Sequence, residues 1–195
     1  MYRAAALKCI RDKVNTKNLE EVRAKADSIN IEIVFIDKEQ RIFLDHEDVT
    51  DQIRTQQVTI ASSDVAVVPE IRLKLVEIQR KIASESSVIM DGRDIGSFVL
   101  PNADYKFFLT ASVEERTKRR YTELLRKGMT GLTFDEVLND ITYRDKNDSS
   151  REFSPLVKAP DSIEIDTTNL SIEQVAVEIL SIIGGAGCSA NLPNS

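Results

Sequence analysis

Three short apolar runs, each ending in polar or small residues, constrain the fold of this chain most strongly. They are VIMDG at 88–92, YKFFLTA at 105–111 and SIEIDTT at 162–168. Near-continuous apolar runs of this length are typical of strands buried in a parallel sheet, whose carboxyl ends face a ligand. Predicted helices at 112–127 and 133–145 separate the second run from the third. The pattern therefore predicts an α/β fold with a parallel sheet.

The remaining segments predict more helices and a small antiparallel insert. Segments rich in helix-forming residues predict helices at 1–13, 17–28, 54–68, 70–84 and 171–183. Two-residue alternation predicts strands at 31–36, 41–45 and 49–53, with turn-forming residues between them. We therefore expect residues 31–53 to form an antiparallel insert, and the Gly- and Ser-rich tail at 184–195 to be disordered.

Composition excludes several classes of protein. The net charge of −6 argues against a nucleic-acid polymer as partner, because such binders usually carry a basic field. The single histidine, His46, stands among acidic residues and is predicted to lie on the surface. Cys9 and Cys188 have no partner at metal-ligand spacing, so we expect free thiols and no metal held by cysteine. With no membrane-spanning run or signal peptide in these residues, we expect a cytoplasmic protein. We also expect a monomer.

The motif DGRDIG at 91–96 directly follows the first apolar run. Glycines on both sides of an Arg-Asp pair permit a tight turn, which would place a cation and carboxylates where ligands bind. A surface turn with an ion pair is the plainer alternative. Because Asp91, Arg93 and Asp94 come directly after a predicted buried strand, we favour a functional role for them.

Two further charged motifs lie on predicted helices. In RDKNDSSR, Arg144 and Asp148 are four residues apart and would share a helix face, with Arg151 one turn beyond. Taken alone, this motif is typical of a salt-bridged helix end, although the planar fork of arginine also suits phosphoryl groups. In ERTKRRY, at 115–121, a solvated charged face is the favoured interpretation for at least two of the four cations.

Together these motifs resemble those of bacterial cytidylate kinases. DGRDIG, RTQQVTIASSDVAVVPEIR, RDKNDSSREFSPL with its R-D-x-x-D-x-x-R spacing, and IDTTNLSIEQV occur in the family's order and at its separations. The resemblance covers about residues 1–183, and the insert at 31–53 is similar to the one that separates this family from adenylate and guanylate kinases. The sequence departs at Ser154, where the family usually has alanine, and at Ser97, where threonine is common. We expect neither departure to alter a contacting group much.

The resemblance implies an enzyme that phosphorylates CMP and dCMP to CDP and dCDP, with ATP as donor and Mg²⁺ as its metal. It implies a P-loop nucleoside-monophosphate-kinase-like parallel sheet with helices on both faces. The kinase core would comprise 1–30 and 54–183, with a short lid near 128–155 and the insert at 31–53 in the monophosphate-binding region.

The resemblance also assigns roles to individual residues. Around the cytosine it places Ser63, Arg72, Asp94 and Arg151, and on the sugar hydroxyls Asp148. Three arginines match those that hold the phosphates, namely Arg3, Arg93 and Arg144, and Asp91 supports their placement; Arg93, Arg144 and Asp91 form the implied catalytic set. Arg116, Arg119 and Arg120 would face the adenine or phosphates of ATP.

The glycine-rich loop that holds donor phosphates is missing from this sequence, because no G-x-x-x-x-G-K-[ST] occurs in the 195 residues. Such a loop supplies backbone N–H groups, a lysine and a hydroxyl for magnesium. In the family it follows the first strand, and Met1-Tyr2-Arg3 matches the end of a later D-T-G-A-M-Y-R-type stretch. We therefore expect an N-terminally truncated, inactive kinase whose sheet lacks two strands. A non-catalytic CMP-binding module and an unstable fragment are the alternatives.

We expect the purified 195-residue chain to show no measurable ATP-dependent phosphorylation of CMP and to be only marginally folded, because the parts of the donor loop act as a unit. A family-like N-terminal segment of roughly 38 residues, enough for a strand, loop, helix and second strand, should restore both properties. A coupled assay of CDP formation and thermal unfolding of the two chains would test this. Turnover by the short chain above that of a variant without Arg93 and Arg144 would contradict it.

Overall fold

The computed structural model describes residues 1–37, 39–129, 131–150 and 153–185. Most of the predicted tail, together with Cys188, therefore lies outside the described residues. The chain divides into two compact units, Met1–Met90 and Asp91–Ser195. The first contains an antiparallel sheet, and the second contains a parallel one.

The first unit combines helices with the antiparallel insert. Its elements are α1 (Tyr2–Arg11), α2 (Leu19–Arg23), β1 (Ile31–Ile36), β2 (Glu39–Leu44), β3 (Glu47–Asp48), α3 (Gln56–Val65) and α4 (Pro69–Glu85). The sheet order is β1-β2-β3, with Ile31 opposite Leu44 in the first pair. The predicted meander is therefore present, and α4 begins with proline at its first position as expected.

Two predicted elements of this unit differ from the structure. The helix expected at 17–28 is split into α2 and a short 3₁₀ turn at Ala26–Ser28. The strand expected at 49–53 is wrong: β3 is the two-residue Glu47–Asp48, and Gln52–Arg54 is a 3₁₀ turn. The hydroxyl of Thr50 accepts the backbone N–H of Ile42 at 2.9 Å, so a side chain replaces the carbonyl that a longer ladder would supply.

The core of the first unit is built around α1. Ala4, Ala5 and Ala6 are all fully buried, so this helix is covered on more than one side. Their small side chains allow neighbouring elements to approach closely, and α1 packs mainly against α3. Cys9 is a buried free thiol in the same cluster, and burial raises its pKa.

Ion pairs attach the insert to α1. The guanidinium of Arg11 donates to both carboxylate oxygens of Glu47 at 2.8 Å and to Gln52 at 2.7 Å. Lys8, one turn earlier on the same helix, lies 2.8 Å from Asp45. The bidentate geometry fixes the orientation of the two groups as well as their distance.

The second unit contains the parallel pair of strands. Its elements are a π-helix (Ile95–Val99), β4 (Phe107–Thr110), α5 (Val113–Arg126), α6 (Phe134–Ser150), β5 (Ile163–Asp166) and α7 (Ile172–Gly185). β4 and β5 pair in parallel, with Phe107 opposite Ile163. This confirms the second and third apolar runs as strands of a parallel sheet.

The first apolar run does not form the predicted strand. Residues 87–91 have no regular secondary structure and pair with no strand in the part of the chain that the structure describes. Ile89 is fully exposed. An extended apolar run becomes a strand only when a neighbouring backbone accepts its hydrogen bonds and side chains cover its faces, and this segment has neither there.

The last helix begins as its sequence predicts. The hydroxyl of Ser171 accepts the backbone N–H of Gln174 at 3.2 Å, and the Gln174 side chain accepts the N–H of Ser171 at 2.8 Å. This reciprocal pair is a capping box. Within the described ranges, no helix combines the length and the apolar character that crossing a bilayer requires.

The attachment of the insert to α1 should weaken in acid. The Arg11 guanidinium, and next the Gln52 amide, lower the pKa of Glu47 below its ordinary value of 4.5. The stabilisation from ionised Glu47 is therefore fully present above pH 4.5 and is lost as the pH falls through the lower pKa of the folded state. We expect Arg11→Ala to make the acid-induced fall in unfolding temperature less steep, whereas Lys17→Ala, the same charge change at an exposed position, should keep the wild-type slope. Equal slopes in thermal scans of all three proteins would contradict this.

Candidate functional site

The DGRDIG motif forms a bend that leads directly into the π-helix. The carbonyl of Asp94 accepts the N–H groups of Phe98 at 2.9 Å and Val99 at 3.1 Å. A Cβ at Gly92 would lie 2.8 Å from Cγ1 of Ile95, so a larger residue there would force the Ile95 side chain to move. π-Helical turns are uncommon and occur frequently at functional sites. The motif is therefore a defined local structure.

An ion pair joins this bend to α6. Nε of Arg93 lies 2.9 Å from Oδ2 of Asp148, although the two residues are 55 positions apart in sequence. Because α6 runs to Ser150, Arg144 and Asp148 both lie on this helix, as the spacing predicts. Arg144 is exposed one turn before Asp148. Two motifs singled out in the sequence thus meet in space.

A second contact joins the bend to the segment after α6. The carboxylate of Asp94 is only 6% exposed, and its Oδ2 accepts the hydroxyl of Ser154 at 2.7 Å. The ring of Phe153 packs edge-on against Phe98, with ring centroids 5.3 Å apart. The backbone N–H of Leu156 donates to the carbonyl of Asp148 at 2.7 Å. These contacts fix the segment beside both carboxylates.

Ser154 makes a contact that its sequence context did not predict. The family usually has alanine at this position, and we expected the change to alter no contacting group much. In the structure the serine hydroxyl donates to Asp94, a predicted site residue. A polar residue replacing an apolar one three residues from Arg151 was the available signal.

In the first unit, Arg3 bonds to α3, the helix that also carries Ser63. Nη1 of Arg3 donates to the hydroxyl of Thr59 at 2.8 Å and to the carbonyl of Ile53 at 3.1 Å. Ser63 follows Thr59 by one turn of α3, so both belong to the same face of that helix. Ser63 is exposed. Thr59 was not predicted as a site residue, and nothing in its sequence context distinguished it.

Arg72 is a buried arginine on α4. It is 1% exposed, and its Nη1 donates to the carbonyl of Ala66 at 3.1 Å. Its guanidinium carbon lies 5.5 Å from the centre of the Tyr2 ring, within the range of a cation–π contact. A buried arginine held in this way supports the local fold in addition to any ligand contact.

The three arginines assigned to ATP all have partners within the protein. Arg116 lies 2.5 Å from Asp145 and donates to the carbonyl of Ala111. Arg120 pairs with Glu123 at 2.8 Å. Arg119 pairs with Glu115 and also donates to the carbonyls that follow β5, those of Thr167, Thr168 and Leu170. The fork of Arg119 therefore stabilises the loop between β5 and α7.

The remaining predicted residues are placed as follows. Asp91 is exposed, and Arg151 lies outside the described residues. His46 is on the surface as predicted, 80% exposed and 2.9 Å from Glu32. Among the described residues, no group of three or more His, Cys, Asp or Glu side chains could hold a metal ion.

Sequence comparisons agree with the fold. An α/β chain with these motifs belongs to the class of nucleoside monophosphate kinases. A family model for cytidylate kinase matches residues 1–184. The cytidylate kinase of Clostridioides difficile is 49% identical over 183 residues, which are 94% of this chain and 82% of that protein. That of Caldicellulosiruptor bescii is 45% identical over 182 residues, covering 93% of this chain and 80% of the relative. The chain therefore belongs to the cytidylate kinase family, which uses ATP as phosphate donor.

The burial of Arg72 predicts a stability effect that Ser63 should not share. We expect Arg72→Ala to lower the free energy of unfolding by about 2 kcal/mol or more, because it removes a buried hydrogen bond and the contact with Tyr2. Ser63→Ala, at an exposed position, should stay within roughly 0.5 kcal/mol of the wild type. Urea unfolding of the three proteins measures the difference. Equal stabilities would show that Arg72 has no structural role.

Proposed function

We propose that this chain supplies the CMP- and dCMP-binding residues of a kinase that forms CDP and dCDP, with ATP as the donor and Mg²⁺ as its accompanying metal. The observation that carries the proposal is the ion pair between Arg93 and Asp148, which two motifs far apart in sequence contribute, with Asp94 next to Arg93 in the chain. A cation beside two carboxylates provides groups for each part of a nucleoside monophosphate. In this proposal the cation binds the phosphate, and the two carboxylates bind the sugar hydroxyls and the exocyclic amine.

Within the second unit, the proposed roles follow from the chemistry of each group. Arg93 and Arg144 would bind the phosphate, since a guanidinium matches two phosphate oxygens at once. Asp148 would accept the sugar hydroxyls, and the ion pair with Arg93 keeps its carboxylate in place. Asp94 would accept the amino group of cytosine, which uracil lacks. Asp91 would support the placement of these two arginines.

The proposed reaction needs no histidine base. An oxygen of the CMP phosphate attacks the γ-phosphorus of ATP in line, the bond to the bridging oxygen breaks, and ADP leaves. Catalysis of this kind consists of positioning and of stabilising charge in the transition state. Arg93 and Arg144 are the residues proposed to do this, and both are exposed on their elements.

For the first unit, the same assignments stand as proposals. Arg3 is assigned to the phosphate, and Ser63 and Arg72 to the cytosine, as is Arg151. The contact between Arg3 and Thr59 supports a fixed orientation for that guanidinium. The burial of Arg72 supports a preformed rather than an induced position.

The donor side has less support in this chain. Arg116 and Arg120 are partly exposed and pair with single carboxylates, which a phosphate could replace. Arg119 is bonded to several backbone carbonyls, which favours a structural role. Because the described side chains offer no metal-binding cluster, no step is assigned to magnesium through them.

The net charge of the chain indicates what kind of ligand it binds. A net charge of −6 fits small nucleotides bound by local arginines better than it fits a nucleic-acid polymer. We propose a cytoplasmic monomer that acts on CMP, dCMP and ATP.

Calorimetric titration with CMP tests the proposal, with the 195-residue chain and with the chain extended by a family-like N-terminal segment. We expect Asp148→Ala to weaken binding of CMP more than binding of 2′,3′-dideoxy-CMP, because the lost partner is a sugar hydroxyl. A hydrogen bond to a charged group is worth roughly 1.5 to 3 kcal/mol, or about 10- to 150-fold in affinity. Asp140→Ala, which removes an exposed carboxylate from the same helix, is the matched control.

Two results would count against the proposal. Equal loss for CMP and its dideoxy analogue would remove Asp148 from the sugar site. If neither chain bound CMP, the proposed function itself would be wrong.

A further inference from the structure

Two carboxylates on α6, three residues apart, each bind an arginine from another element. Nη1 of Arg116, on α5, donates to Oδ2 of Asp145 at 2.5 Å. Nε of Arg93, in the DGRDIG bend, donates to Oδ2 of Asp148 at 2.9 Å. Residues three apart are neighbours on one face of a helix. One face of α6 is therefore joined to two separate elements of the second unit.

The carboxyl-terminal part of α6 has little apolar packing of its own. No side chain that the structure describes between 141 and 150 is buried. The amino-terminal part of the helix differs, because Val137 is buried and Phe134 packs edge-on against Tyr121 of α5, with ring centroids 6.0 Å apart. The position of the carboxyl-terminal part therefore depends mainly on polar contacts.

Arg116 is itself fixed at a second point. Its Nε donates to the carbonyl of Ala111 at 3.0 Å, and Ala111 directly follows β4. The planar guanidinium is thus already oriented, so little further side-chain freedom is lost when it pairs with Asp145. The side chains of the pair are 34% and 35% exposed, and a partly buried pair is screened less than a fully exposed one.

We propose that Asp145 is a positioning residue that holds the nucleotide-binding end of α6 in place through Arg116. This rests on the proposed function, in which Arg93 and Arg144 bind the phosphate and Asp148 accepts the sugar hydroxyls. A nucleotide that engages Arg93 and Asp148 competes with the pair that these two side chains form, whereas the pair of Asp145 remains. That pair keeps Arg144 and Asp148 oriented in the bound state, which reduces the cost of ordering them on binding.

The test replaces Asp145 in two ways and includes one matched control. Asp145→Ala removes the carboxylate. Asp145→Asn keeps the shape of the side chain and one acceptor oxygen but loses the charge, so it separates the ion pair from packing. Asp140→Ala makes the same change in net charge at an exposed position of the same helix.

Affinities for CMP and 2′,3′-dideoxy-CMP are measured by calorimetry, and unfolding temperatures by thermal scans, on the 195-residue chain and the extended chain. We expect Asp145→Ala to weaken CMP binding by roughly three- to fivefold, the upper range for an ion pair that is not fully buried. Binding of dideoxy-CMP should weaken less, because α6 supplies the contact to the sugar hydroxyls. Asp145→Asn should cause a smaller loss in the same sense, and Asp140→Ala should keep the wild-type affinities.

A double-substitution cycle identifies the residue through which Asp145 acts. Once Arg116→Ala has removed the contact, adding Asp145→Ala should cause no further loss of CMP affinity. Full additivity of the two losses would overturn the inference.

The remaining outcomes separate this role from others. Wild-type affinities in both Asp145 variants would overturn the positioning role, while a selective loss in Asp148→Ala would still support the proposed function. Equal losses for the two ligands, with a lower unfolding temperature, would show a structural role only and overturn the inference. A changed affinity for ADP with an unchanged affinity for CMP would assign the pair to the donor side and overturn it as well. A wild-type chain that binds neither nucleotide would overturn the proposed function and this role with it.

Discussion

The buried carboxylate of Asp94 is the constraint around which the second unit is arranged. A charged group out of water must be matched by donors, and the hydroxyl of Ser154 is one of them. In the segment after α6, Ser154 lies in the left-handed region and the ring of Phe153 packs edge-on against Phe98. Asp94 also precedes the π-helix directly, and its backbone carbonyl accepts the N–H groups of Phe98 and Val99. A single buried charge thus links the bend, the helix and the segment that follows it.

Arginine has two different uses in this protein. Arg72 and Arg119 donate hydrogen bonds to backbone carbonyls, so both guanidinium groups stabilise the fold. Arg93 is bound through Nε to one carboxylate at a half-exposed position, and exposed ion pairs of this kind contribute little to stability. The hydrogen-bond partner of each arginine distinguishes a structural role from a ligand-binding role better than its position in a charged motif does. A family assignment based on motifs alone groups them together.

The helices and the parallel pair β4–β5 were predictable, because they depend on local pattern and on runs that any sheet would bury. The strand expected at 88–92 is not formed in the described structure. An apolar sequence alone does not provide a neighbouring strand to accept its hydrogen bonds. The strand at 49–53 failed for a local reason, the side-chain bond from Thr50. For the candidate site, the sequence indicated Arg93, Asp94 and Asp148 as residues of interest, but not which would meet. Nothing in the sequence pointed to Thr59. The serine at 154, in place of the family's usual alanine, was visible but was not expected to alter a contact.

By itself, the sequence determined the chemistry: the family, the charged groups, and the helices whose spacing and caps are local properties. The tertiary structure decided which groups are neighbours. Arg93 and Asp148 stand 55 residues apart, and Asp94 and Ser154 stand 60 apart. Contacts over such separations depend on how two elements pack, and no short-range pattern encodes that. The sequence specifies the residue types, whereas the packing of distant elements decides which of them become hydrogen-bond partners.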